Sequence, residues 1–152
     1  MRLFSILAAI ALAAGLAGAQ TIRVGTFQKA SVVVAFYRSS LWAETMKAKL
    51  AEMDAAKKAN DDAKVTELQS WGSGHQDLAH RQLAGEAPID NILEALSPGL
   101  PEIARQAGVN LIAPDLAFAD RTVQTVDVTG LLLDYLKADE RTRAIVHDLP
   151  KP

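Results

Sequence analysis

Between Ser39 and Leu83 the large apolar side chains recur at helical steps in a stretch that is otherwise polar and rich in alanine and lysine. Trp42, Met46, Leu50 and Met53 succeed one another at spacings of four, four and three. Val65, Leu68, Trp71, His75 and Leu78 continue at three, three, four and three. Such spacing lines side chains along one stripe of a helix. A stripe this narrow cannot wrap a core of its own, and only a second stripe of the same kind satisfies it. The break falls at Ala55 to Asp62. Lys57 and Lys58 suit the C-terminal end of a helix, and Asn60 reads as an N-cap with Asp61 and Asp62 in a new first turn. The pattern predicts an antiparallel helical hairpin over residues 39–84, favoured over one unbroken helix because short antiparallel connections are common. Gly72 and Gly74 weaken the second arm by about 1 kcal/mol each and could kink it.

The flanks carry a different rhythm. Thr21 to Phe27 alternates with period two and reads as a strand. Lys29 to Tyr37 is β-branched, which suits a strand by propensity. No turn signal separates it from the helical stretch after it, so it is read as a short buried helix. After Pro88, one amphipathic turn pair holds Ile89, Ile92, Leu93 and Leu96, and another holds Leu100, Ile103, Ala104 and Ala107, closed by Gly108 at C′. Val109 to Ala113 reads as a strand ended by Pro114, 115–121 as a connection, and Thr122 to Val126 as the next strand. Asp127 or Thr129 then caps a helix carrying Leu131, Leu132, Leu133, Tyr135 and Leu136. Past Lys137 the chain is charged and ends in Pro-Lys-Pro, a loose tail over 139–152. The expected fold class is α+β. A small β-body (20–38 and 88–138) carries a protruding hairpin (39–84), and a C-terminal strand and helix return to the body.

The first nineteen residues read as a removable export signal. Arg2 gives a positive start, Leu3 to Leu16 is apolar or small apart from Ser5, and Ala17-Gly18-Ala19 offers a cleavage site before Gln20. The apolar run is shorter than the roughly 20 residues that span a bilayer, so no stable membrane insertion is expected after cleavage. There is no cysteine in the chain, which removes disulfides, thiolate chemistry and a lipoprotein anchor. Loss of Arg2 leaves 15 basic against 18 acidic residues, a net charge of −3. That balance argues against nucleic acid as the main partner.

Catalytic and metal chemistry find little support in the residues. His75 and His80 are five apart, about 140° around a helix, a poor chelating pair. Asp77 with His80 lacks the third and fourth ligands that zinc needs. Gly72-Ser73-Gly74 is not preceded by the strand a nucleophile elbow requires. Asp115, Asp120 and Asp127 lack the glycines of a calcium or phosphate loop. No catalytic residue, metal or cofactor is therefore expected. Trp42 and Trp71 fall on opposite arms of the predicted hairpin. They pack on each other or on the body, or else they present an apolar surface to another chain.

Two motifs carry a resemblance. Ile103-Ala104-Arg105-Gln106-Ala107-Gly108-Val109-Asn110-Leu111-Ile112 is followed by Thr125-Val126-Asp127-Val128-Thr129-Gly130-Leu131-Leu132-Leu133. Together with Ile22-Arg23-Val24-Gly25-Thr26-Phe27-Gln28-Lys29 at the start, this order resembles the OmpH/Skp family of periplasmic chaperones. The resemblance implies a periplasmic homotrimer joined through its β-bodies, with hairpins that hold unfolded outer-membrane or envelope proteins. It implies client contacts on Trp42, Met46, Leu50, Met53, Leu68 and Trp71. Gly130 stands where the family usually has an acidic residue, the arms are shorter than the family's, and the charge is acidic where the best-known members are basic. A smaller enclosed volume follows from the short arms. An envelope adaptor with the same fold and no unfolded clients is the alternative reading.

Overall fold

The computed structural model describes residues 21–150; the expected export signal and the expected cleavage site before Gln20 lie outside the described residues. Helix and strand are mixed, with one small sheet. In chain order the elements are β1 (Arg23–Thr26), α1 (Lys29–Tyr37), α2 (Ser40–Lys58), α3 (Asp62–Leu83), α4 (Asp90–Leu96), α5 (Leu100–Ala107), β2 (Leu111–Ala113), β3 (Gln124–Asp127), α6 (Thr129–Tyr135) and α7 (Glu140–His147). The strands form a three-stranded sheet in the order β2-β1-β3, and both pairings are parallel. Val24 stands level with Leu111 and Thr125, and Gly25 with Ile112 and Val126.

One face of the sheet looks into the core. A side chain at Gly25 would come within 3.1 Å of both Ile112 and Val128, so these neighbours would have to give way by a few tenths of an ångström to admit one. Phe27, Val32, Phe36, Ile92, Leu96, Ile103, Val128, Leu132 and Leu136 fill the space beyond it. α1 is central to this layer: it packs on α2, α3, α6 and α7. That explains its β-branched sequence, since a helix buried on most sides needs apolar bulk more than helical propensity.

The Asp127-Val128-Thr129 step knits the ends of β1 and β3 together. Val128 N–H donates to the Thr26 carbonyl (2.8 Å). Gln28 N–H donates to the Thr129 hydroxyl (2.9 Å), and Thr129 N–H donates to the Asp127 carboxylate (2.8 Å). The three residues divide the work: Asp127 is a helix-start acceptor, Val128 a core side chain, and Thr129 a cross-strand tie.

α2 and α3 run back along each other. Trp42, near the start of α2, stacks on Trp71 near the middle of α3. The turn between them is a Schellman closure. Asp61 N–H reaches the Ala56 carbonyl (2.9 Å), Asn60 N–H reaches that of Lys57 (3.2 Å), and Asn60 takes a positive φ of 53°. The expected cap is thus displaced by one residue: Asn60 ends the first helix, and the Asp61 carboxylate caps the second by accepting Lys64 N–H (2.9 Å). Asparagine tolerates the left-handed conformation that the closure needs, and its side chain then cannot serve as the N-cap.

A second correction concerns the C-terminus. Within 139–152, read as a loose tail, α7 is an ordered helix capped by Asp139, which accepts Thr142 N–H (2.7 Å). Those bonds from Thr142 also hold the Asp139 carboxyl below its ordinary value. Thr142 is buried and accepts the Arg38 guanidinium (2.9 Å), fastening α7 to α1. Glu140, Arg141 and Arg143 in its first four positions hid this helix in the sequence.

α3 continues unbroken through Gly72-Ser73-Gly74. A Cβ at either glycine would meet nothing within 4 Å. Gly72→Ala and Gly74→Ala are each expected to raise stability, by about 1 kcal/mol from helix propensity alone. Thermal melts of the single and double variants check the sign; a loss in either would mean that α3 bends there in solution.

Candidate functional site

Three regions could carry function: the seam between α2 and α3, a cleft at the C-terminal ends of the strands, and the apolar residues exposed on and beside the sheet.

At about 100° per residue, Trp42, Met46, Lys49, Met53 and Ala56 share one narrow face of α2. Each of these five is at least half-buried, while Leu50 is 59% exposed. Steps of four drift round a helix, so by Leu50 the row is about 80° from Trp42, and Lys49 takes the inward place. The expected set is thereby split. Trp42, Met46 and Met53 face the seam with Leu68 and Trp71 of α3, and Leu50 stands outside it. Sequence reasoning missed Lys49, whose ammonium lies 5.7 Å from the centre of the Trp71 ring. The one signal for it was the i,i+7 step from Trp42, which a charged residue concealed.

The seam begins in an aromatic ladder. Phe36 and Tyr37 of α1 meet edge-on at 5.2 Å, and Tyr37 meets Trp42 edge-on at 5.0 Å. Trp42 is 6.0 Å from Trp71 and 5.6 Å from His75, stacked on both, and Trp71 and His75 are 4.2 Å apart. His75 Nδ1 lies 2.9 Å from the Trp71 carbonyl oxygen, which fixes the ring. His80 is exposed on the other side of the helix. Below the ladder, Gln82 is 1% exposed and joins three segments. Its Oε1 accepts the Tyr37 hydroxyl (2.8 Å), and its Nε2 donates to the Pro88 carbonyl (2.7 Å) and to Asn91 Oδ1 (2.7 Å).

The cleft has a volume of about 780 Å³ and lies where Thr26, Pro114 and Asp127 end or succeed the three strands. Lys29 in the first turn of α1 pairs with Asp115 across it (2.7 Å). Gln28 Nε2 donates to the Pro150 carbonyl at its rim (3.0 Å). Gln82 to Gly85 form the wall on the side of α3.

Val24, Leu111 and Thr125 alternate with the row of Gly25, Ile112 and Val126, with Ile22 one pleat earlier; of these Val24 is buried. Ile22 and Leu111 are exposed, and in the connection after β2 Phe118 is 82% exposed. Asp120 accepts the Thr122 N–H (2.9 Å) and hydroxyl (2.8 Å), turning the chain into β3, and these bonds lower its carboxyl. β2 and β3 each pair only with β1, so both outer edges of the sheet are free among the described residues. No described helix is long and apolar enough to cross a membrane. No family model, curated protein or solved structure matches the chain.

Proposed function

We propose that this chain is a non-enzymatic holdase of the OmpH/Skp kind, exported to the periplasm, cleaved before Gln20, and binding unfolded outer-membrane or envelope proteins as a homotrimer. The observation that carries the reading is the α2–α3 pair, two helices of 19 and 22 residues that seal on each other and stand on α1. Such a pair would serve as the protruding hairpin that the resemblance implies. Support for assembly comes from the sheet, whose two free edges and exposed Ile22, Leu111 and Phe118 are costly to leave in water. Three copies joined through these bodies would place their hairpins side by side around a common space. Clients would then meet the outward residues of the arms, Leu41 and Leu50 among them, because the seam residues are already occupied.

That same occupation favours a second reading, an envelope adaptor with no unfolded clients. One experiment separates them. Light scattering on the mature protein should give three times the chain mass, and several-fold molar excess should delay aggregation of an unfolded outer-membrane barrel protein. A trimer without any delay leaves the adaptor. A well-folded monomer at micromolar concentration overturns both assembly and the family reading.

A further inference from the structure

Met46 and Met53 are the only methionines apart from Met1, and both stand half-buried on the face of α2 that meets α3. The other members of that face are Trp42, Ala56 and the cation Lys49, so two thioethers make up much of its apolar bulk. Nothing else on α2 can replace them, since Leu50 is turned away. On the opposing helix the facing row holds Leu68, Trp71 and His75, against which the two thioethers and Trp42 close. A thioether exposed on one side is open to small oxidants, and the sulfoxide it becomes is polar and chiral. Such a group has no place in a narrow apolar seam.

We propose that the α2–α3 seam is an oxidation-sensitive clasp: conversion of Met46 and Met53 to sulfoxides by a peroxide-class oxidant opens it, and reduction closes it. In the step with hydrogen peroxide, the sulfur gains one oxygen as the O–O bond breaks, the remaining oxygen leaves as water, and the sulfur gives up two electrons. Reversal requires methionine sulfoxide reductases of both stereochemical classes, because oxidation produces both epimers. The proposal rests on the packing of α2 against α3 and not on whether the arms bind clients.

The test uses the mature chain treated with dilute hydrogen peroxide. Intact mass should rise by one oxygen for each methionine. Helical circular dichroism should fall by up to half, because α2 and α3 contain about half of the helical residues described. Treatment with both reductases should restore it. Met46→Leu with Met53→Leu should keep its helicity in the same peroxide. If that double variant does not fold, each single variant should lose less signal than the parent. Full oxidation with unchanged helicity overturns the proposal, and so does equal loss in the leucine variants. So does failure to oxidise the folded protein at a dose that oxidises the urea-unfolded chain. Aggregation suppression measured before oxidation tests the holdase reading separately, and either result can fail without the other.

Discussion

Trp42→Ala is expected to destabilise the protein by about 3 kcal/mol, the low end for removing a large aromatic side chain because this one is half-buried. The indole touches Phe36, Tyr37, Trp71 and His75 together, so its loss disconnects α2 from both α1 and α3. The melting temperature should drop by roughly 10 °C, the helical signal should become less cooperative, and the emission of Trp71 should shift to the red as its face meets water. The outcome also decides what the tryptophans are for. If stability is unchanged while binding of an unfolded chain is lost, Trp42 is a contact for another protein and the ladder is a surface. Trp42→Phe should recover part of the stability and serves as the control for ring packing.

Gln82→Leu is expected to cost about 2–4 kcal/mol, although it exchanges a polar side chain for an apolar one at a buried position. The Tyr37 hydroxyl, the Pro88 carbonyl and Asn91 would each lose the partner that the buried Gln82 amide supplies. Gln82→Glu keeps the acceptor for Tyr37 but sets a carboxylate against the Pro88 oxygen. Asn91 can turn its amide over to donate; the carbonyl cannot. The folded state would then hold the acid's proton more tightly than the unfolded chain does. A carboxyl raised in this way weakens the fold above its unfolded value, and the loss is recovered as pH falls through the raised one. Denaturant titrations of Gln82→Glu at neutral and mildly acid pH should therefore converge on the parent as pH is lowered. Equal deficits at both would show that the Pro88 contact contributes little.

The elements that the sequence revealed are those whose causes are local. Period two marks β1, the pause at Ala55 to Asp62 marks the turn between α2 and α3, and Gly108, with φ 62°, closes α5 as its position before a strand suggests. Where a decision depends on distant partners, local pattern falls short. Nothing in Val24 or Leu111 declares that their strands run parallel, since direction is set by the long helical excursion between them. α7 is held largely through polar groups, the buried Thr142 on Arg38 and Arg143 on Asp134, with Val146 its one side chain on the core. Gln82 is a polar residue in a polar helix until α1 and α4 close over it. The candidate site was legible as a stripe but not in its membership. A row of four-residue steps drifts off its own face, and Lys49 rather than Leu50 completes it.

β1 is the middle strand, yet it comes first in the chain. Its partners lie far downstream: Arg23 meets Asn110 across 87 residues, and Gln28 meets Thr129 across 101. Loops of that length must close before the sheet gains a single ladder bond, which places the sheet among the slow, high-contact-order steps of folding. α2 and α3 are joined by a short turn and can zip as soon as both have emerged. During synthesis β1 therefore waits, unpaired until Leu111 appears, while α2 and α3 can already form. Its edge towards β3 stays open for the whole interval between the appearance of Val24 and that of Val126, and an open edge invites aggregation. A truncation ending before β3 should be helical, keep at most the β1–β2 pair, and be poorly soluble.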